Sequence, residues 1–218
     1  IAAAVLAVPA AALRFWESPV PFVVVGYGNE IAREVNVVAC EADGVPVLRR
    51  SSGGGTVIQG PGCLNYALVL PIASDASLAT VSGANRFILH RITDALAGLL
   101  GQPVDRCGDT DLVWRDRKFS GNAQRRRRTH LLFHGTLLLG LDLSLVEKYL
   151  LAPTRQPDYR QSRPHGEFVS NLPLMACEVK QALAQAWLAG TTPGAWPEAE
   201  TLRLACDQYS LTEWNRRR

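Results

Sequence analysis

Two stretches of this chain concentrate residue types that handle anions. In "RRSSGGGTVIQGPG", Arg49 and Arg50 precede two serines and the run Gly53, Gly54 and Gly55. Successive glycines reach φ > 0 without steric cost, turn several N–H groups toward one anion and let a ligand approach the backbone. A plain hairpin needs only two turn residues, so three glycines behind a double serine read better as a ligand-binding loop. In "DLVWRDRKFSGNAQRRRRTHLLFHGTLLL" (111–139), Lys118 stands just past a turn and is followed by Ser120 and Gly121. A lysine head is a compact charge suited to a phosphate or carboxylate oxygen; the competing reading is a solvated lysine beside a turn.

Several other chemistries are excluded or left open. Gly55 to Gly60 has the glycine spacing of a phosphate-binding Walker loop, but Pro61 stands where its lysine belongs. Gly26 and Gly28 in "VVVGYGNEI" follow a strand-like run, yet Ile31 replaces the third glycine of a dinucleotide fingerprint. His130 and His134 fall on a strand-like run, where four residues span ~13 Å, too far to share an ion; no metal ligands are assigned. Arg125 to Arg128 read as a solvated basic loop or as a greeting to an acidic partner. Nucleic acid is disfavoured, because no aromatics are interleaved to stack on bases.

The elements that must position these groups alternate between strand-like and helix-like runs, as in an α+β (mixed α/β) domain. Residues 12–16 and 22–26 read as short strands across a Pro19–Pro21 turn. Ile31, Val35, Val38 and Ala42 fall at helical spacing before Gly44. Residues 46–50 feed the glycines and 63–71 leave them. Residues 77–101 form the longest helix, with a stripe of Leu78, Val81, Phe87, Ile88, Ile92, Leu96 and Leu99. A hairpin turns at Arg115, Asp116 and Arg117, and 129–140 is a second long strand run. Residues 151–172, with Pro153, Pro157 and Pro164, read as a long loop of the kind that is usually functional. Residues 173–210 read as helical.

The chain has 218 residues, 47% hydrophobic and 20% charged, enough for one large domain that buries roughly 70% of its unfolded surface. Five scattered cysteines, none in a CxxC, give neither a disulfide framework nor a zinc site and fit a reducing cytoplasm. The net charge of +3 is concentrated at Arg125–Arg128 and Arg216–Arg218, so it argues weakly for any polyanion. "IAAAVLAVPAAAL" lacks a basic flank, carries Pro9 and is shorter than the ~20 apolar residues of a membrane span. It is expected to be the first helix of the domain, in a chain that begins without its initiator Met.

Together, "RRSSGGGTV" with the following "NYA", and "DLVWRDRKFSGNAQRRR" with the following "HGTLLL", resemble the biotin/lipoate protein ligase family in its lipoate-protein ligase branch. "LRFWE" near the start and "EWN" near the end resemble the family's flanks, so the likeness spans nearly the whole chain. The resemblance implies a central mixed β-sheet flanked by helices, related to the biotin ligase and class II synthetase core. Ligases of this type often carry a small C-terminal accessory domain or use a separate chain for it, and this sequence departs from that pattern in being expected as one catalytic domain over 1–218 without it. It implies that lipoate or octanoate is joined to AMP from ATP, with Mg2+ held through the phosphates, and then passed to a lysine of an apo lipoyl-acceptor domain. Such acceptors are of the 2-oxoacid dehydrogenase E2 or glycine cleavage H protein type; a separate accessory chain is a further possible partner, and no membrane is implied.

By the same resemblance Lys118 is the catalytic lysine, between acyl carbonyl and phosphate. One charge at ~4 Å contributes at most roughly 4 kcal/mol at an effective dielectric near 20, or about a thousandfold in rate. Gly53, Gly54 and Gly55 would lie along the acyl-adenylate, with Arg50 adding charge. Asn65, Asp111, Ser120, Gly121, Ala123, His134 and Gly135 match positions lining the same pocket, and Val57 and Leu64 are candidates for an apolar slot. Two other readings stand beside the ligase. One is an ATP-independent octanoyl or lipoyl transferase that works through a Cys107 thioester. The other is a non-catalytic adenylate- or nucleic-acid-binding module.

Overall fold

The run Cys63–Pro71 is buried on both faces, so it lies inside a sheet with a layer on each side. A computed structural model describes residues 11–153, 156–188 and 197–217, and the helix expected at the very start of the chain lies outside them. Among the described residues the strands are β1 (Ala12–Trp16), β2 (Phe22–Val25), β3 (Val47–Arg49), β4 (Val57–Gln59), β5 (Cys63–Pro71), β6 (Asp105–Cys107), β7 (Asp111–Trp114), β8 (Arg117–Arg126) and β9 (His130–Leu138). Six of them make one sheet in the order β1-β5-β9-β8-β7-β6, antiparallel throughout. The other three make a small sheet, β3-β2-β4, in which β2 runs parallel to β3 and antiparallel to β4. The α+β architecture is borne out, but the mixed pairing belongs to the small sheet and not to the central one.

The helices are α1 (Ile31–Glu34), α2 (Val37–Ala42), α3 (Val81–Leu100), α4 (Ser144–Tyr149), α5 (His165–Phe168), α6 (Ala176–Ala186), α7 (Glu198–Leu204) and α8 (Thr212–Asn215). One face of the large sheet, with Leu64, Tyr66, Leu68, Phe119, Phe133 and Leu137, packs on Ile88, Leu89, Ile92 and Leu96 of α3 and on Val179 and Leu183 of α6. A second core joins Val23, Val25 and Ile58 of the small sheet to Val146, Tyr149 and Phe168 of α4 and α5.

Several sequence expectations need correction. The single helix expected from Ile31 to Ala42 is two short ones. Val35 leaves the helix to bridge Leu150, and the Asn36 side chain accepts from the Ala39 N–H at 3.2 Å to start α2, the usual competition of Asn with helical backbone. The long helix starts later than residue 77: Ala76–Ala79 is a 3₁₀ turn, Thr80 caps α3, and Val81 and Leu99 are exposed, not part of the buried stripe. The strand leaving the glycines is β4, inserted before β5. Arg125 and Arg126 belong to β8, and the Arg126 guanidinium donates to the carbonyls of Leu78 and Ala79 at 2.7 and 3.1 Å, so only Arg127 and Arg128 stand in an exposed turn. The stretch 151–172 is not a bare loop: it carries a 3₁₀ turn at Asp158–Arg160, then α5, then a bridge from Val169 to Lys118. The hairpin at Arg115 and Asp116 forms as expected, with φ of 51° and 60° at its two turn residues.

The C-terminal "EWN" docks on the start of the glycine loop. Asn215 Oδ1 accepts from the Arg49 N–H at 2.8 Å, and Trp214 Nε1 donates to the Arg49 carbonyl at 2.9 Å. Asn215 is buried and its amide also donates to the carbonyls of Tyr209 and Leu211. Replacing Asn215 with Ala strands the buried Arg49 N–H, and this is expected to lower stability by about 1–3 kcal/mol. Urea unfolding of the two proteins, compared at constant m, measures it.

Candidate active site

The glycine loop is shaped by what holds its carbonyls. Arg50 donates to the Gly53 carbonyl from Nε and Nη2 (3.1 and 2.8 Å), to Gly55 from Nη2 (2.6 Å) and to Val24 from Nη1 (3.2 Å). The Gly54 carbonyl accepts from Asn29 Nδ2 at 3.1 Å, and Asn29 is in turn held by Glu34 at 2.6 Å. Glu34 also accepts from the N–H and hydroxyl of Thr56, which closes the loop's far end. With three carbonyls turned onto Arg50 and Asn29, no protein acceptor among the described residues takes the N–H groups of Gly53, Gly54 or Gly55. Gly54 has φ +91°, and its carbonyl lies 2.0 Å from where a Cβ on Gly26 would stand, so glycine is required at both positions. Burial pushes the Arg50 guanidinium down to about 10, opposed by Glu34. Arg50 stays charged, and its N–H donors are directed at the carbonyls of the loop and of Val24.

An irregularity in β8 sets the face from which Lys118 projects. Leu112 pairs with Ser120 while Val113 pairs with Lys118, so β8 carries one extra residue at Phe119. A bulge of this kind puts two consecutive side chains on one face. Phe119 and Ser120 are both buried on the α3 side, and Lys118 emerges on the opposite face together with Gly121 and Ala123. The Lys118 amine lies 3.3 Å from the Cβ position of Gly121, and Ala123 Cβ lies 3.9 Å from that of Gly54. Lys118 and the glycine loop therefore address the same face of β8. Asp111 on the neighbouring strand pairs with Lys118 at 2.8 Å.

His134 sits on the same face, opposite Ala123 in register, and shares a 2.6 Å hydrogen bond with Ser52 at the root of the loop. Burial, reinforced by the charge of Arg50, pushes its imidazole down to about 4, so it is neutral near pH 7. Asn65 is also on this face but is consumed in a closed set of bonds with Gln59 and Thr136 that ties β4 to β5 and β9. Ser120 and Gly135 belong to the opposite face. Ser120 touches Asn122, and the missing side chain of Gly135 leaves room for Asn122, which accepts from the Tyr66 hydroxyl at 2.6 Å. Leu64 points into the α3 core and cannot wall a slot on the Lys118 face; Val57 is half-buried on β4. Cys107 pairs in register with Asp111, and burial together with Asp105, Asp111 and Asp116 pushes its thiol up.

Four residues that shape the site were not assigned to it from the sequence: Gly26, Asn29, Glu34 and Tyr159, whose hydroxyl donates to Asp111 at 2.7 Å. The first three lie in "GYGNEIARE", a run that fails as a dinucleotide motif. Its surplus of small and amide-bearing residues beside an arginine-flanked glycine loop is the signal that could have found them.

Comparison with known proteins places this geometry among relatives. Residues 6–187 match the model of the family described as lipoyl protein ligase A/B catalytic domain. The chain is 35% identical over 141 residues to a protein of Aeropyrum pernix named as a lipoate-protein ligase A, covering 63% of this chain and 50% of that one. It is 27% identical over 208 residues to lipoate–protein ligase 1 of Staphylococcus aureus, covering 89% and 61%. The chain spans about half the length of the curated relatives it matches. Among solved structures, the bipartite lipoate protein ligase of Thermoplasma acidophilum superposes with a TM-score of 0.79 at 22% identity, covering 94% of this chain and 84% of that one. A lipoate-protein ligase A bound with ATP gives 0.79 at 24%, covering 94% and 85%. At these identities the two structures establish a shared fold.

The depressed imidazole gives a pH dependence of stability. Between about pH 6.5 and 4 the unfolded chain binds a proton at this position that the folded chain refuses, so folding weakens as the pH falls through that window. His134→Asn removes the effect, and the wild type is expected to lose about 2–3 kcal/mol more than the variant between pH 7 and pH 4. Urea midpoints of both proteins across that range test it.

Proposed function

We propose, since this chain belongs to the lipoyl protein ligase A/B catalytic domain family, that it joins lipoate or octanoate to the α-phosphate of ATP, breaking the α–β phosphoanhydride so that pyrophosphate leaves, and passes the acyl group to one lysine of an apo lipoyl domain. The observation that supports the reading is that Lys118 projects from the face of β8 on which Ala123 approaches Gly54, in a loop whose glycine N–H groups have no acceptor among the described residues. Forming an acyl-adenylate brings a carboxylate against a phosphate, and two anions approach only where cations and N–H donors neutralise the developing charge. Lys118 supplies a charge beside the acyl oxygen and the phosphate. The amides of Gly53, Gly54 and Gly55 supply donors already fixed in place by Arg50 and Asn29. His134, being neutral, holds Ser52 and the loop root without adding charge. In the second half-reaction the acceptor lysine attacks the acyl carbonyl, and AMP leaves with the electron pair of the broken C–O bond.

The relatives support the substrate classes: one structure of Thermoplasma acidophilum carries lipoic acid, a second includes an E2 lipoyl domain, and another ligase is bound with ATP. Mg2+ would enter with the ATP phosphates. E2 domains and glycine cleavage H proteins are the acceptor classes, and an accessory chain acting in trans is compatible with the bipartite relative. No described helix is long and apolar enough to cross a membrane, and all five thiols are free; we place the reaction in the cytoplasm. We read the chain as one catalytic domain. The transferase reading fares worse because burial, with Asp105, Asp111 and Asp116 alongside, pushes the Cys107 thiol up, whereas the thiolate is the nucleophile.

The test gives the isolated chain lipoate, Mg-ATP and an apo E2 lipoyl domain, beside a second assay with an octanoyl-carrier and no ATP. Lipoylated domain and AMP are expected in the first assay only. Lys118→Ala should lower the rate by about a thousandfold, while Cys107→Ser leaves it near wild type. ATP-independent transfer that disappears in Cys107→Ser would assign the transferase instead. Lipoyl domains are commonly acidic, so replacing the exposed Arg127 and Arg128 with Ser should slow acceptor capture at low salt, with the difference fading at high salt.

A further inference from the structure

The structure assigns Tyr159 as a positioning residue for the lysine: its hydroxyl fixes the carboxylate of Asp111 so that only one oxygen is presented to Lys118. Asp111 has both oxygens engaged, Oδ1 by the Lys118 amine at 2.8 Å and Oδ2 by the Tyr159 hydroxyl at 2.7 Å. A carboxylate offers about four lone-pair sites and can grip a cation with both oxygens. Holding one oxygen by a neutral donor limits the grip and fixes the rotamer.

Tyr159 is itself heavily braced, as a positioning residue must be. Its ring packs on Phe168 at 5.2 Å between centroids, and Cε1 lies 3.6 Å from the Cβ position of Gly108, where the chain turns from β6 to β7. Its carbonyl accepts from Arg163 Nη2 at 3.0 Å, and Arg163 Nη1 reaches the carboxylate and carbonyl of Asp116 in the hairpin before Lys118. The same segment returns as Val169, which bridges Lys118, and the Ser170 N–H donates to the Lys118 carbonyl at 2.9 Å. Lys118 is thus held from this segment at both its backbone and its amine. Burial, with Asp111 alongside, pushes the Tyr159 phenol up, so it stays a donor.

This inference rests on the reading of Lys118 as the group that meets acyl oxygen and phosphate. To reach them the amine must yield part of its bond with Asp111. Without the Tyr159 hydroxyl the freed oxygen closes on the amine and competes with the charge that develops as carboxylate and phosphate meet. Tyr159→Phe keeps the ring packing and removes only the donor.

The experiment is a double-mutant cycle on the full chain, measuring pyrophosphate release from ATP with lipoate in wild type, Tyr159→Phe, Asp111→Asn and the double variant, with Lys118→Ala as reference. Tyr159→Phe should lower kcat by about ten- to a hundredfold, the worth of one hydrogen bond to a charged group, with KM for ATP and lipoate changed less than about twofold. In the Asp111→Asn background the same change should have no further effect. If the two effects multiply, or if Tyr159→Phe raises KM and leaves kcat alone, Tyr159 acts by packing and the inference fails. Wild-type kcat in Tyr159→Phe alongside an inactive Lys118→Ala overturns this inference alone. Full activity in Lys118→Ala overturns the reading of the site on which it rests.

Discussion

The three-glycine loop has a defined shape because Arg50 is folded back onto it. A run of glycines loses more conformational entropy on ordering than any other sequence of that length, and a buried guanidinium demands acceptors in several directions. The two requirements meet in one contact set: Gly53, Gly55 and Val24 supply the carbonyls, and Arg50 supplies the fork. Its consequence for chemistry lies on the other side of each peptide. Once the carbonyls are turned to Arg50 and Asn29, the N–H groups are left without acceptors among the described residues, and donors fixed in that way need no reorganisation when charge develops near them.

The large sheet has one face packed on α3 and α6 and another that carries Lys118, and one inserted residue sets the division. Strict alternation along β8 would put Lys118 with Ser120 and Asn122 on the face that packs against α3. The bulge at Phe119 resets the alternation, so the lysine emerges beside Gly121 and Ala123 while the buried phenylalanine anchors the kink in the core. The closed polar set of Asn65, Gln59 and Thr136 then fixes the small sheet that carries the glycine loop against the large sheet that carries the lysine. Three side chains with their mutual bonds satisfied hold a register more uniquely than apolar contact would.

The sequence made legible those parts whose signals are local. The ends of β5 follow from an apolar run between Pro-Gly and Pro-Ile, and the Arg115–Asp116 turn follows from two polar residues between β-forming runs. The two motifs of the site were legible as motifs, each with its own chemistry. What escaped were features set by long-range geometry. β4 is three residues long, too short for alternation to show. The bulge has no residue signature in "RKFSG", so the face of Lys118 could not be read. Arg50 and Arg49 look alike in sequence. Arg49 is buried against the carbonyls of Gly26 and Asn29 and against Asn215, far along the chain, while Arg50 grips the loop it precedes. Ser120 and Gly135 matched the motif but serve the far face, a distinction that only strand register makes.

The ion pair at rest explains how a lysine can sit half-buried beside that loop without a ligand. An ammonium removed from water needs a partner, and Asp111 supplies one at 2.8 Å from a side chain that is itself only 17% exposed. An isolated charge there would be costly, and a carboxylate with both oxygens free to close on it would make the pair hard to open. Asp111 with one oxygen held by Tyr159 lies between these limits: it meets the lysine's need for a counter-charge, yet keeps the contact to a single oxygen. On the proposed reading, an anion arriving against the glycine amides competes for the lysine with the attraction of one carboxylate oxygen. A resting contact limited to one oxygen leaves the lysine available, on that proposed reading, to stabilise a transition state more than the ground state.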